Sequence, residues 1–411
     1  MKAGENVMNF KKYIISLFFL PFCCSFSFAD TGGGTVGVQF LNNDFSPRAL
    51  GMGGAFVAVA DDAYGPDYNP AGLGQIKYPE ASAMYLSGFD DASLGGLHFG
   101  MLLPNVGFAK YARPAFGISL ISSSAGDITY RPLDANEYPG QERTLKAQQD
   151  YALTLTFAEK FFVGDIILEK LRFEDIEQFY GVNVKYVRST LVEDYTANGV
   201  AGDFGYLLKH NPSGISFGVS FNNLGSGMKY IDETTKMPSV ARAGLSWLLP
   251  SLYEHQLRLA GEADFHLNED SLVYRLGAEY TFDRYVALRI GYIGHEDNPA
   301  FTLGMSLKYD DMSIDVAGTM GGEVYDTTMA SFNYRFSGLA YKGPAVKKRK
   351  FRGISEKVAA PVGTKAKDPY KRKSEERLEE ESQYRQRTAD PVMVPAKKEK
   401  SRGSSEMFLL Y

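Results

Sequence analysis

From about residue 79 to residue 336 the chain is a succession of roughly ten-residue runs in which apolar and polar side chains alternate, separated by clusters of Gly, Asn, Asp and Pro. Successive side chains of a strand point to opposite faces, so a period of two dictates strands with one greasy and one polar face. In the run 257–267, Leu257, Leu259, Gly261, Ala263, Phe265 and Leu267 share one face, and Arg258, Glu262, Asp264 and His266 share the other. The same holds for Leu272, Tyr274, Leu276, Ala278, Tyr280 and Phe282 against Arg275 and Glu279. Two architectures fit such a pattern. In a soluble sandwich the polar face meets water; in a membrane barrel the apolar face meets lipid and the polar face lines the lumen.

Three features favour the barrel. The runs are commonly nine to twelve residues long, which suits a tilted membrane strand better than the ~5–6 residues typical of soluble sheets. Tyr and Phe cluster near run ends on the apolar face, as at Tyr280, Phe282, Tyr309, Tyr334 and Phe336, where an interfacial girdle places them. The third feature is an export signal: Lys11 and Lys12 precede an apolar stretch from Tyr13 to Phe22, and Ser27-Phe28-Ala29 offers small residues for cleavage before Asp30. Residues 1–29 therefore read as a signal peptide, with Met8 an alternative start. Cys23 and Cys24, the only cysteines, leave with it, and bulky Phe22 argues against lipid attachment there. A mean hydropathy of −0.22 argues against a bundle of membrane helices, each needing about 20 apolar residues.

Fourteen runs lie near 79–88, 94–103, 114–122, 150–158, 179–192, 199–209, 214–222, 239–249, 255–267, 271–282, 285–294, 300–309, 312–320 and 325–336. The predicted fold is all-β, a transmembrane antiparallel barrel of about fourteen strands. With both ends in the periplasm, 210–213, 283–284 and 310–311 become short periplasmic turns, and 123–149, 193–198 and 223–238 become outward loops. Two connections, 104–113 and 159–178, are longer than such turns allow.

Residues 46–74 do not alternate and are dominated by small side chains. Ser46-Pro47 and Asn69-Pro70 each put a capping side chain directly before a proline, which predicts two short helical pieces. Between them Gly51, Gly53 and Gly54 permit sharp turns and close backbone approach, as a plug in a confined lumen requires. The stretch Ser46 to Leu73, with its Leu-Gly-Met-Gly-Gly-Ala core, Ala60-Asp61-Asp62-Ala63 and Asn69-Pro70-Ala71, resembles the N-terminal hatch of FadL-like outer-membrane transporters, especially the PorV/PorQ branch. Asn222 to Ile231 and Leu276 to Tyr280 are similar to that branch as well, so the resemblance spans roughly residues 35–338. It implies a hatch over 30–78, a barrel over 79–338, hydrophobic ligands in the lumen, and hatch roles for Asn69, Pro70 and Ala71. Two functions follow from it: passive uptake of hydrophobic small molecules such as long-chain fatty acids, or a PorV-like outer-membrane component or cargo shuttle of a type IX secretion system. The resemblance implies the outer membrane of a diderm bacterium, with membrane lipid, hydrophobic solutes and, on the second reading, secreted cargo proteins as partners.

No enzyme is expected. Gly214-Ile215-Ser216-Phe217-Gly218 matches a nucleophile elbow on paper, but Ile215, Phe217, Val219 and Phe221 alternate straight through it. Gly32 to Gly37 matches a dinucleotide fingerprint without a preceding strand. His98, His210, His255, His266 and His295 have no metal-ligand spacing, so neither metal nor cofactor is predicted. The polar faces place Arg242, Arg258, Glu262, Asp264, Arg275, Glu279, Arg289, Lys308, Asp315 and Arg335 in the lumen. There they either line a ligand path or form a salt-bridge network that satisfies a plugged interior, the reading favoured here; Asp61 and Asp62 cap or pair within the hatch or bear on gating. Residues 342–411 hold 19 basic and 10 acidic side chains, leaving 25 and 39 before them. The segment 339–411 cannot build a core and reads as a disordered periplasmic tail that solubilises or contacts envelope components, not nucleic acid. N-terminal sequencing of the membrane-extracted protein should begin at Asp30; a chain that retains Met1 or Met8 would show that the leader is kept.

Overall fold

The computed structural model describes residues 36–88, 92–103, 113–132, 138–168, 171–250, 255–295, 299–321, 327–339 and 349–352. The signal segment and most of the tail, with the expectations of cleavage and disorder, lie outside the described residues. Fourteen strands follow one another up and down: β1 Glu80–Ser87, β2 Ser93–Leu102, β3 Arg113–Tyr130, β4 Arg143–Leu168, β5 Leu171–Leu191, β6 Tyr195–His210 and β7 Ile215–Gly225. The second half comprises β8 Val240–Leu248, β9 His255–His266, β10 Ser271–Phe282, β11 Val286–Gly294, β12 Ala300–Tyr309, β13 Met312–Met320 and β14 Thr328–Arg335. Each pairs antiparallel with the next, and β14 closes on β1 from Glu80↔Arg335 to Ser87↔Thr328. Closure leaves no edge along the wall, so every backbone amide at membrane depth can be bonded within the sheet.

Alternation carries through to burial, in the sense opposite to that of a soluble protein. Along β12, Phe301, Leu303, Met305 and Leu307 are 44–59% exposed, whereas Thr302 and Ser306 between them are fully buried. Hydrocarbon points out and polar groups point in around the ring, the arrangement of a transmembrane barrel.

The sequence reading and the structure differ where the period of two breaks. Residues 159–178, expected as a connection, belong to β4 and β5, which pair as far as Leu168↔Leu171. Register shifts between Lys160/Phe162 and Gly164/Ile166 move side chains to the other face, and a one-residue slip is enough to erase alternation. β3 reaches only to Lys160 on β4 and β6 only to Ile176 on β5, so this hairpin projects past its neighbours. Its β4 edge pairs in parallel with Arg349–Arg352, at Gly164–Ile167; that four-residue strand lies inside the segment expected to be disordered. The long outward loop 123–149 shortens because β3 runs to Tyr130 and β4 starts at Arg143. The loop 193–198 shrinks to a turn at 192–194 because β6 begins at Tyr195. Ser216, inside β7, is part of the wall, not of a strand-to-helix elbow.

Residues 36–76 pack within the ring. Helix α1, Pro47–Leu50, is capped by Ser46, whose Oγ accepts from Ala49 N, and a 3-10 turn, Pro70–Gln75, is capped by Asn69 accepting from Ala71 N. These are the two helical pieces expected from the Ser-Pro and Asn-Pro pairs. The structure adds α2, Gly65–Tyr68, and a 3-10 turn, Gln39–Asn42. Glycine sets how closely plug and wall approach. A Cβ at Gly291 of β11 would lie 2.0 Å from Gly53 N, and one at Gly51 would lie 2.9 Å from Gly304 Cα of β12. On the side away from the chain ends, Met228 and Met237 of the β7–β8 loop join a buried cluster with Val38, Phe40, Leu41 and Leu50, and Lys236 bridges Val36.

Gly291→Val should therefore unseat the plug without opening the sheet. Limited proteolysis would cut within residues 36–76 of the variant and spare them in the wild type, while both keep heat-modifiable gel migration. An uncut plug in the variant would refute the close packing.

The plug-to-wall interface as candidate functional site

Arg48 of α1 is the hub. It donates from Nε and Nη2 to the two carboxylate oxygens of Glu279 on β10, at 2.9 and 3.0 Å, and from Nη1 to Asp61 at 2.5 Å and Asp62 at 3.0 Å. The planar fork suits such a bidentate contact, which a lysine could not reproduce. From the wall, Arg258 of β9 reaches Asp61 at 3.1 Å, and Arg289 of β11 ties Glu279 at 2.8 Å to Asp315 of β13 at 3.3 Å. In the plug, outside the spanning strands, burial alone raises both aspartates. The Arg48 and Arg258 guanidiniums outweigh it at Asp61 and hold that carboxyl well below the usual range. Asp62, with burial foremost and charged Asp61 beside it, stays raised despite Arg48.

A second knot lies nearer the far side. Arg275 of β10 donates to Asp264 at 2.7 Å, to Asp44 at 3.2 Å and to the Gly53 carbonyl at 3.2 Å. Gly54 has no room for a Cβ, which would fall 2.0 Å from Arg275 Nη1. Glu262 of β9 accepts from the backbone N–H groups of Phe56 and Val57, both at 2.7 Å, satisfying plug donors that no helix uses. Arg242 of β8 sits over the Tyr68 ring at 5.7 Å and 4.0 Å from Asp264.

On the remaining wall the contacts are mostly neutral. Asn69 donates to the carbonyls of Val57 and Tyr206 at 2.8 and 3.1 Å. Pro70 and Ala71 press on Gly181 of β5. Asn183 of β5 donates to Pro66 O at 2.9 Å, Ser220 of β7 to Tyr68 O at 2.7 Å, and His98 of β2 pairs with Asp67 at 2.7 Å.

The structure thus brings Arg258, Glu279, Asp61 and Asp62 into one knot with Arg289 at its margin, and Arg242, Glu262, Asp264 and Arg275 into another. Gly51, Gly53, Gly54, Asn69, Pro70 and Ala71 stand at the contact surface. Sequence reading passed over Arg48, Asp44, Asp67 and the wall acceptor Thr302, which takes the Gly53 N–H at 3.0 Å. A signal for Arg48 existed: residues 30–76 contain it as their only Lys or Arg, against five aspartates, so it had to be paired. Among the described residues, no group of three or more His, Cys, Asp or Glu could hold a metal.

No known family profile matches the chain, and no curated protein sequence does. Among solved structures it is similar to the toluene transporter TbuX of Ralstonia pickettii, at 13% identity and a TM-score of 0.45, over 71% of this chain and 98% of that one. It is also similar to the Pseudomonas putida toluene transporter TodX, at 12% identity and 0.45, over 70% and 97%. A Rh. blastica porin variant follows at 9% identity and 0.30, over 63% and 99%. Fold and site together define a plugged transmembrane β-barrel.

Arg48→Met would leave Asp62 without a cation and remove one cation each from Asp61 and Glu279, which keep Arg258 and Arg289, a loss of roughly 3–5 kcal/mol at most, the figure for a fully buried pair. The temperature at which the barrel loses its compact gel form should fall. Because the groups share one network, Arg48→Met with Asp61→Asn should lose less than the sum of the two single losses. Additive losses would mean that the contacts do not cooperate.

Proposed function

We propose that this protein is an outer-membrane channel of FadL-like type for passive passage of hydrophobic small molecules, long-chain fatty acids among them, with residues 36–76 as its hatch. The observation that carries the reading is how the plug is attached. Among the described residues it joins the wall through side-chain ion pairs, side-chain hydrogen bonds, glycine contacts and apolar packing such as Leu73 against Ala115 and Ala158, with a single isolated backbone bridge at Val36↔Lys236. Such contacts can exchange partners without dismantling the sheet. An apolar solute also has a foothold outside: a groove of about 330 Å³ on the outward face, lined by Leu259, Leu276, Ile290, Tyr292 and Phe301.

The second reading, a cargo component of a type IX secretion machine, is favoured by a different feature. The β4–β5 hairpin projects beyond its neighbours on the side of the chain ends, where the basic tail also begins, and offers a ledge to a protein partner or an anionic envelope component. Mass spectrometry after gentle detergent purification separates the two. Bound fatty acid or other hydrophobic solute supports the channel, and co-purified secreted proteins support the shuttle. Failure of the reconstituted protein to raise influx of a fluorescent fatty acid into liposomes would overturn the channel reading.

A further inference from the structure

The plug meets the two sides of the wall through different chemistry, and the mostly neutral side has an unusual interior. Across β2, β3, β4 and β5, His98, Ser119, Thr154 and Lys185 stand directly opposite one another in register and form one inward-facing row. Asp67 of α2 faces the row through His98, and Asn183 lies one step along β5. All are at least nine-tenths buried: His98 is 3% exposed, Ser119 and Asp67 5%, Thr154 0% and Asn183 2%. Yet Ser119 Oγ, Thr154 Oγ1, His98 Nδ1, Asp67 Oδ1 and Asn183 Oδ1 have no hydrogen-bond partner in the protein. Glu262 also leaves one carboxylate oxygen without a protein partner, but it bonds through the other. Ser119 and Thr154 have one side-chain polar atom each, and neither is bonded.

Neighbouring strands lie ~4.8 Å apart, so these atoms cluster along one short arc of wall. Buried polar groups without protein partners are satisfied by ordered water, which needs two to four polar partners of this kind. The surroundings provide a container. On one side is an apolar belt of Met84, Ile121, Ala152 and Val187; on the other, Leu73 and Ile76 of the plug close against Ala115 and Ala158. Gly96 leaves the space into which the His98 ring leans, since a Cβ there would lie 2.9 Å from His98 Cε1 and 3.2 Å from Met84 Cγ.

We propose that α2 of the plug and strands β2–β5 enclose a hydrated chamber, a water-binding site built from Ser119, Thr154, His98, Asp67 and Asn183 and sealed at each end by an apolar cluster. It is the wetted side of the plug, opposite the ion-paired side. This inference needs only the plugged barrel and is independent of which solute or cargo the protein handles.

X-ray radiolytic footprinting of the full-length protein in ¹⁸O-water tests it, because bound internal water labels its neighbours even where bulk solvent is excluded. Met84, 5% exposed, borders the chamber; Met52, 0% exposed, lies in a different buried cluster and serves as the dry reference, with Thr154→Val separating chamber water from residual exposure of Met84. Met84 should take up ¹⁸O several-fold faster than Met52, and Thr154→Val should cut that labelling at least two-fold and lower the heat-modifiability temperature, because the variant removes a bonded hydroxyl at nearly constant shape. Equal labelling of Met84 and Met52 would overturn the chamber. So would a Thr154→Val protein that is more stable than the wild type with Met84 labelling unchanged, the behaviour of a hydroxyl that never had a partner.

Discussion

A closed sheet that shows hydrocarbon on its outside must turn every polar side chain inward, and fourteen strands enclose more space than those side chains fill. About eight strands make a barrel that its own interior can pack, and sixteen to eighteen leave an open aqueous channel. This ring lies between those limits, and the remaining volume is taken by residues 36–76. Once the lumen is occupied, the charges of the wall lose bulk water and must find partners. The plug supplies them: Arg48 for Glu279, Asp61 for Arg258, Asp44 for Arg275 and the amides of Phe56 and Val57 for Glu262.

The pairing is directional. Strands β8–β13 carry the arginines and carboxylates that bind the plug, whereas β2–β7 offer mainly amides, hydroxyls and one His–Asp pair, with Lys209 of β6 donating to Gln75 at 2.7 Å. An ion pair broken inside a low-dielectric interior leaves an uncompensated charge, a far larger loss than that of a neutral hydrogen bond. Any displacement that preserves the Arg48 and Arg275 knots therefore costs less than one that breaks them. The plug has an ion-paired side and a mostly neutral, closely packed side, and they are set by where the wall's arginines fall.

Much of the barrel was legible because its constraint is local. A period of two can be read within one run, and the runs that became β8 to β14 lie within a few residues of their observed bounds. Legibility failed where strands leave the bilayer. Ser122-Ser123-Ser124 in β3 and the bulged stretch around Phe161-Phe162 in β4 no longer have a lipid face to keep apolar, so alternation fades although pairing continues. The plug was recognisable by its small residues and its Ser-Pro and Asn-Pro caps. Its partners were not, because which aspartate meets which arginine depends on contacts between residues more than 200 positions apart, such as Arg48 and Glu279. The inward charges are legible in the sequence as a set, but their grouping into two knots is not.

Glycine and arginine act on the same interface in opposite ways. Close contacts at Gly51–Gly304 and Gly53–Gly291 bring backbone against backbone, which fixes position sharply but adds little attraction per contact. The guanidinium forks add attraction but tolerate small displacements, since a bidentate carboxylate can follow a shifting arginine. A plug fixed by glycine and retained by arginine has one well-defined seated position and a shallow surround, so small shifts lose packing before they lose charge pairing.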